Sequence, residues 1–180
     1  MVANLRALAS KEVLVGYPAE SAARDPVDGK ATNLTNAAIG YINENGDPDL
    51  NIPARPHLGP GIAKNLEGIE ARLQKAARAA TKAPGSNQAD QLLHEVGAYA
   101  QAAVRKEIMD GLEPPLADAT LRARANRVNK KSRAAKAARH ELNARSQGYT
   151  LDGMVKPLID SGQLRNAINY VIRNKSERSQ

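Results

Sequence analysis

Asp160-Ser161-Gly162 stands near the end of the chain, inside the run KPLIDSGQLRNAI (Lys156–Ile168), and carries residue types found in hydrolytic sites. A serine beside an acid becomes a nucleophile only with a base. The chain has three histidines, His57, His94 and His140. None stands at metal-ligand spacing, and no His-Glu-x-x-His run exists. No nucleophile-elbow pattern surrounds Ser161. The runs GYPAES (Gly16–Ser21) and GPGIAK (Gly59–Lys64) lack the spacing of a phosphate-cradling loop, and the second reads as a Pro–Gly helix start. The carboxylate pairs Asp47/Asp49 and Glu67/Glu70 are of a kind found on any solvated surface. Cysteine is absent, which removes thiol nucleophiles, thiolate metal sites and disulfides together. The histidines read as surface or packing residues. No catalytic residue, metal or cofactor is expected.

Asp160 has a simpler use. With Gln163 three residues on, it has the spacing of a capping box, its side chain taking an orphan N–H at a helix start. Leu164 and Ile168, four apart, then face the core. The following INYVIR is rich in β-branched residues and suits a strand. The stretch predicts a turn, a capped short helix and a strand.

Other elements must place these residues. KEVLVGYP (Lys11–Pro18) reads as a strand ended by proline, and 19–32 as a loop. A helix begins near Asn33 or Thr35, with Ala38, Ile39 and Ile42 on one face, and stops at Asn45–Gly46. Residues 46–61 hold four prolines and read as an extended arm, lying on the chain's own surface or a partner's. Two long helices follow, antiparallel neighbours because their connection is short. In the first, over 61–82, Ile62, Leu66, Ile69 and Leu73 form an apolar stripe; in the second, Leu93, Val96, Ala100, Val104 and Ile108 do. Ser86 or Asn87 caps the second, and Gly111 ends it. Asp118 or Thr120 opens a further helix after Pro114–Pro115.

Composition sets the limits. Of 180 residues 42% are hydrophobic, enough for one domain with a core. Phe and Trp are absent and five Tyr are the only aromatics, so Leu, Ile, Val and Ala must do the packing. The isolated subunit is expected to be modestly stable and to gain support from neighbours. No apolar run approaches the ~18 residues of a membrane span. The first residues lack a signal-peptide pattern, and a soluble protein of a cytoplasm, or of something assembled there, is expected.

The formal charge is +7. Much of the excess lies between Arg122 and Arg145, where Glu141 is the only acid. Val128 and Leu142 are too far apart to make a stripe, so 122–149 is expected to be an exposed helical extension or a mobile arm. Arg122, Arg124, Arg127, Lys130, Lys131, Arg133, Lys136 and Arg139 are its candidates for contact with phosphate or an acidic partner. No aromatic lies among them for base stacking.

Two blocks taken together resemble the neck and tail-completion proteins of tailed bacteriophages, a family of virion morphogenesis and minor tail components. NENGDPDLNIPARPHLGPGI (Asn43–Ile62) is similar to that family's IPARPFLRP block. PPLADATLRAR, followed by KPLIDSGQLRNAINYVIR, is similar to its PL…TL and PLIDTGQLRNSI blocks. The resemblance spans most of residues 34–173. His57 replaces an aromatic, Gly59 an arginine, and the region 126–149 is longer and more basic than the family pattern. The resemblance implies a non-enzymatic α+β subunit with a small antiparallel sheet on two long helices, repeated as a ring, with a hexamer expected, at the head–tail junction or tail top. Its implied neighbours are head-completion or adaptor proteins, tail-tube or tail-terminator proteins and the genomic DNA in the lumen, with no membrane; assembly takes place in the host cytoplasm. Under it an extended arm can lie across a neighbouring subunit; Pro53, Arg55 and Pro56 belong to the first block and Asp160, Gly162, Leu164 and Arg165 to the second, as candidate subunit-interface residues. A basic nucleic-acid-binding protein acting through 122–145 is the alternative, and a virion hydrolase a third reading.

Overall fold

The computed structural model describes residues 2–21, 23–26, 29, 31–82, 87–127, 129, 131–151 and 153–176, without the side chains of 2–4. The fold is α+β, with eight α-helices and one two-stranded antiparallel sheet among the described residues. Helix α1 (Val2–Ala9) leads into strand β1 (Lys11–Gly16), whose partner β2 (Asn169–Asn174) comes from the other end of the chain. Pairing runs from Lys11↔Asn174 to Gly16↔Asn169. Lys175 donates its N–H to the Ser10 carbonyl at 2.7 Å. That bond sets the alternation. Ser10, Glu12, Leu14 and Gly16 turn their backbone groups to β2, and Lys11, Val13 and Val15 turn theirs away. No described strand lies on that second side, so β1 is an open edge.

One face of the sheet rests on the long helix pair, α4 (Leu66–Lys82) and α5 (Gln88–Asp110). Val13 and Val15 pack on Ile69, Val96 and Ala100. The helices are antiparallel, because contacts descend one as they climb the other. Lys64, just before α4, pairs with Glu107 at 2.5 Å, Arg72 stacks on Tyr99, Lys75 pairs with Glu95, and Ala76 and Ala79 meet Leu92 and Leu93. The predicted stripe of α5 is buried throughout. That of α4 is not: Leu66 and Leu73 are exposed, while Ile69, Ala76 and Ala80 face inward. The buried face of α4 is centred on Ile69, Ala76 and Ala80, and at about 100° per residue Leu66 and Leu73 fall on its flank. Ile62 belongs to a separate short helix, α3 (Leu58–Ala63). Small residues let these helices approach. A Cβ on Gly61 would meet the Val104 Cα at 2.8 Å, and one on Gly97 the ring of Tyr170 at 2.2 Å.

Helix α2 (Asn36–Asn45) starts where Thr35 accepts the Ala38 N–H and ends at Gly46, which has φ +78°. Buried Asn36 straps the preceding loop, donating to the Ser21 and Ala23 carbonyls and accepting from Arg24. The arm 46–61 is extended only in part. Asp47 and Ile52 close a four-residue turn with two 2.8 Å backbone bonds, and the chain is already helical at Leu58.

The basic region departs furthest from expectation. Residues Asp118–Ala125 form α6 and Arg133–Ser146 form α7, packed on each other. Ala135 and Ala138 are fully buried, and Leu121 inserts among Ala125, Ala138 and Leu142. The expected helix is present; its alanine face, expected to be exposed, is buried, and arginines tie the hairpin to the 156–160 segment. Its stripe is made of alanines, which bring the helices close enough for one leucine to fill the seam. Val128, Lys130 and Ser86 lie outside the described residues. Asn87 occupies the N-cap of α5 without a side-chain bond, and Ala117 that of α6, with Asp118 in the first turn.

Candidate functional site

Arginines of the α6–α7 hairpin turn inward to hold the second motif block. Arg127 grips Asp160 with both Nη atoms, one bond measuring 2.6 Å. Arg124, at the end of α6, is buried; it donates to the Ile159 carbonyl at 3.2 Å, and its Nε lies 3.8 Å from Asp160. Burial lowers the Arg124 pKa, and Asp160 opposes that shift. Asp160 is therefore not the helix cap. The N-cap of α8 (Gln163–Ala167) is Gly162, at φ +82°, a left-handed geometry suited to glycine, and the one side chain near its start is Ser161, whose Oγ accepts the Gln163 N–H at 3.4 Å. A carboxylate facing a guanidinium gains two charge-assisted bonds, more than one bond to an amide provides. Gln163 instead ties its helix to the loop before α2, accepting from the Asp25 N–H and donating to its carbonyl. Leu164 and Ile168 are buried as expected. Arg165 is half-buried and hydrogen-bonds Asn166.

The first block is anchored within its own subunit. Arg55 is buried and donates to the Pro114 and Pro115 carbonyls at 2.8 and 3.1 Å. Burial lowers its pKa, and Glu113 counteracts. Pro53 and Pro56 remain exposed. Arg55, of the block expected at a subunit interface, is thus held within its own subunit. Such a guanidinium must find acceptors before it can be buried, and the proline carbonyls, free of helix and sheet, supply them. Pro53, Arg55, Arg124, Asp160 and Leu164 line one cleft of about 380 Å³. Two segments a hundred residues apart in sequence meet there.

Beside it lies a network that sequence reading missed. His57 has no exposed surface, and Tyr17, Glu44 and Arg55 surround its ring. Its Nδ1 faces two acceptors, Glu44 Oε2 at 3.0 Å and the Arg55 carbonyl at 3.1 Å, so that nitrogen carries the hydrogen. Tyr17 then donates to Nε2 at 2.6 Å. Burial would raise the Glu44 carboxyl, but the N–H groups of His57, Leu58 and Gly59, with His57 itself, hold it below the ordinary value. Glu44, on α2, thereby caps α3 in place of a local side chain. Burial, with Glu44 nearby, raises the Tyr17 phenol. An imidazole bonded at both nitrogens and closed to solvent serves as a brace between β1, α2 and α3. Tyr17, Glu44 and His57 are 27 and 13 residues apart, a separation that no motif records.

The remaining basic candidates are divided by exposure. Arg139 is exposed and donates to the Ala125 carbonyl; Arg145 bonds Glu141, Asp118 and the Leu116 carbonyl. Arg122 is exposed, 3.9 Å from Asp118. Lys131, Arg133 and Lys136 are exposed with no acidic partner among the described residues. Among those residues no group of three His, Cys, Asp or Glu side chains is placed to hold a metal ion, and no helix is long and apolar enough to cross a membrane. The chain matches no protein-family model, no curated protein and no solved structure.

Proposed function

We propose that this chain is a structural subunit of a tailed-phage virion, assembling as a ring, with a hexamer expected, at the head–tail junction or tail top. The carrying observation is the meeting of the two family-like blocks in one cleft, where Arg55, Arg124, Arg127 and Asp160 serve as internal braces. In this reading the motif residues build a rigid subunit, and the assembly contacts lie elsewhere on it. Leu5 and Leu73 stand exposed around the open edge of β1, apolar surface of the kind that association covers. Its neighbours are head-completion or adaptor proteins on one side and tail-tube or tail-terminator proteins on the other, around the DNA path. The test is gold labelling and mass spectrometry of purified particles of the encoding phage. The subunit is expected at the portal-to-tail joint; its absence from particles overturns the reading.

A second reading, DNA binding through 122–145, is favoured by Lys131, Arg133 and Lys136. They stand exposed at the start of α7, where the helix dipole disfavours cations. No large apolar side chain is exposed among the described residues between 122 and 148, whereas protein-docking surfaces carry apolar anchors. Replacing the three with glutamine is expected to weaken binding to duplex DNA and to lower its log–log salt slope by about 2.7. Unchanged affinity removes this reading.

A further inference from the structure

A groove of about 740 Å³ runs along the open edge of β1, between that strand and the exposed side of α4. Leu5, Leu8, Val13, Ile69, Leu73 and Ala77 line it, and Lys175 stands at its rim. Leu5 and Leu73 are 44% and 41% exposed, so the floor of this groove is open apolar surface. The backbone groups of Lys11, Val13 and Val15, turned away from β2, pair with nothing among the described residues. An open strand edge beside uncovered leucines is a site for association.

The same chain carries a matching projection. The turn Pro48–Asn51 holds Leu50 outward at 66% exposure. Four hydrogen bonds brace it: two between Asp47 and Ile52, one from Asn51 to the Pro48 carbonyl, and one from the Leu50 N–H to the Asp47 carboxylate. Asn51 adopts φ +58°, the left-handed region that asparagine tolerates better than most residues, and this directs the turn. Asp49, next to Leu50, is exposed with no cationic partner among the described residues, and the Lys175 side chain has no acidic one. One element offers an apolar knob with a free carboxylate, and the other an apolar groove with a free ammonium.

We propose that Leu50 of one copy inserts into the β1–α4 groove of the next copy, with Asp49 meeting Lys175. Knob and groove are different surfaces of one chain, so the contact is heterologous and propagates head to tail, closing as a ring where the rotation allows. The inference rests on the ring reading above and names the contact that builds it. The turn is rigid before binding, so little conformational freedom is lost on docking.

The cysteine-free chain makes the test direct. Leu50→Cys and Leu73→Cys are placed in separate copies, mixed and oxidised, both in solution and in assembled particles. The mixture is expected to form disulfide-linked dimers, and a chain carrying both changes a ladder of multimers. Each single variant alone, and Leu50→Cys mixed with Lys136→Cys, is expected to give none. Asp49→Lys and Lys175→Glu are each expected to weaken association, and mixing the two together to restore it. Leu50→Ala is expected to weaken it roughly ten- to a hundredfold. No Leu50–Leu73 link above the Lys136 control, in solution and in particles alike, overturns the contact. Particles that hold the subunit at the joint yet give no link overturn the contact and leave the ring reading standing; particles without the subunit overturn the ring reading itself.

Discussion

Replacing Asp160 distinguishes a helix cap from an ion pair. As a cap, Asp160 would contribute roughly 1 kcal/mol, asparagine would replace it with little loss, and Arg127 would be irrelevant. As the partner of Arg127, it accepts two charge-assisted bonds, each worth roughly 1.5–3 kcal/mol when well shielded. The pair is only partly shielded, with Asp160 28% and Arg127 21% exposed, so the lower part of that range applies. Removing the carboxylate also leaves buried Arg124 with carbonyl acceptors alone. The expected loss for Asp160→Ala is about 2–4 kcal/mol, and Asp160→Asn should lose most of the same. A double-mutant cycle with Arg127→Ala should give a coupling of about 1.5–3 kcal/mol, smaller in 1 M salt. The chain has no Trp, so urea unfolding is followed by far-UV circular dichroism. A neutral Asp160→Asn together with additive single losses would refute the brace and restore the cap.

Other outcomes follow from the same geometry. Gly61→Ala should cost roughly 2–3 kcal/mol because its Cβ meets the Val104 backbone, whereas Gly59→Ala, whose nearest neighbour lies at 3.7 Å, should be neutral or stabilising; thermal melts of both decide it. Glu44 is held below its ordinary pKa of 4.5, so its stabilisation is present above pH 4.5 and is lost as the pH falls through the lower folded value; the stability gap to Glu44→Gln should close on acidification. Tyr17 is raised above its ordinary 10.0, so its contribution is present below pH 10 and lost as pH rises beyond it; Tyr17→Phe should flatten that alkaline decline. Arg55→Lys, which cannot span both proline carbonyls with a planar fork, should lower stability by about 1–3 kcal/mol in the same urea assay.

The elements that sequence patterning predicts well are those whose signal is local. The β1 strand, the stop at Gly46, the α5 stripe and the Leu164/Ile168 pair each occupy a short window in which period or turn chemistry speaks directly. The stripe of α4 fails because its buried face is centred on Ile69, Ala76 and Ala80, where alanine gives little signal, and Leu66 and Leu73 fall on its flank. The basic segment is helical as expected, but the burial of its hairpin is not legible. Its seam consists of Ala135, Ala138 and Ala144, and alanine lies on buried and exposed helix faces alike. The Tyr17–His57–Glu44 brace was illegible because its members come from three separate elements.

That failure bears on how a basic segment is interpreted. A chain without Phe or Trp has few large side chains with which to clamp loops to its body. Here arginine takes part of that role. Arg55, Arg124 and Arg145 reach carbonyls of the 114–116 and 156–159 segments, and Arg127 reaches a carboxylate in the loop before α8. A guanidinium has five donors in a rigid fork, and irregular loops hold many unpaired acceptors, so one side chain can order several residues. Among the described residues the positive charge of 122–145 falls into two populations, one (Arg124, Arg127 and Arg145) facing inward to the fold and one (Arg122, Lys131, Arg133, Lys136 and Arg139) facing solvent. The second is the one open to an anionic partner, and Lys131, Arg133 and Lys136, which have no acidic partner among the described residues, should carry most of any affinity for phosphate.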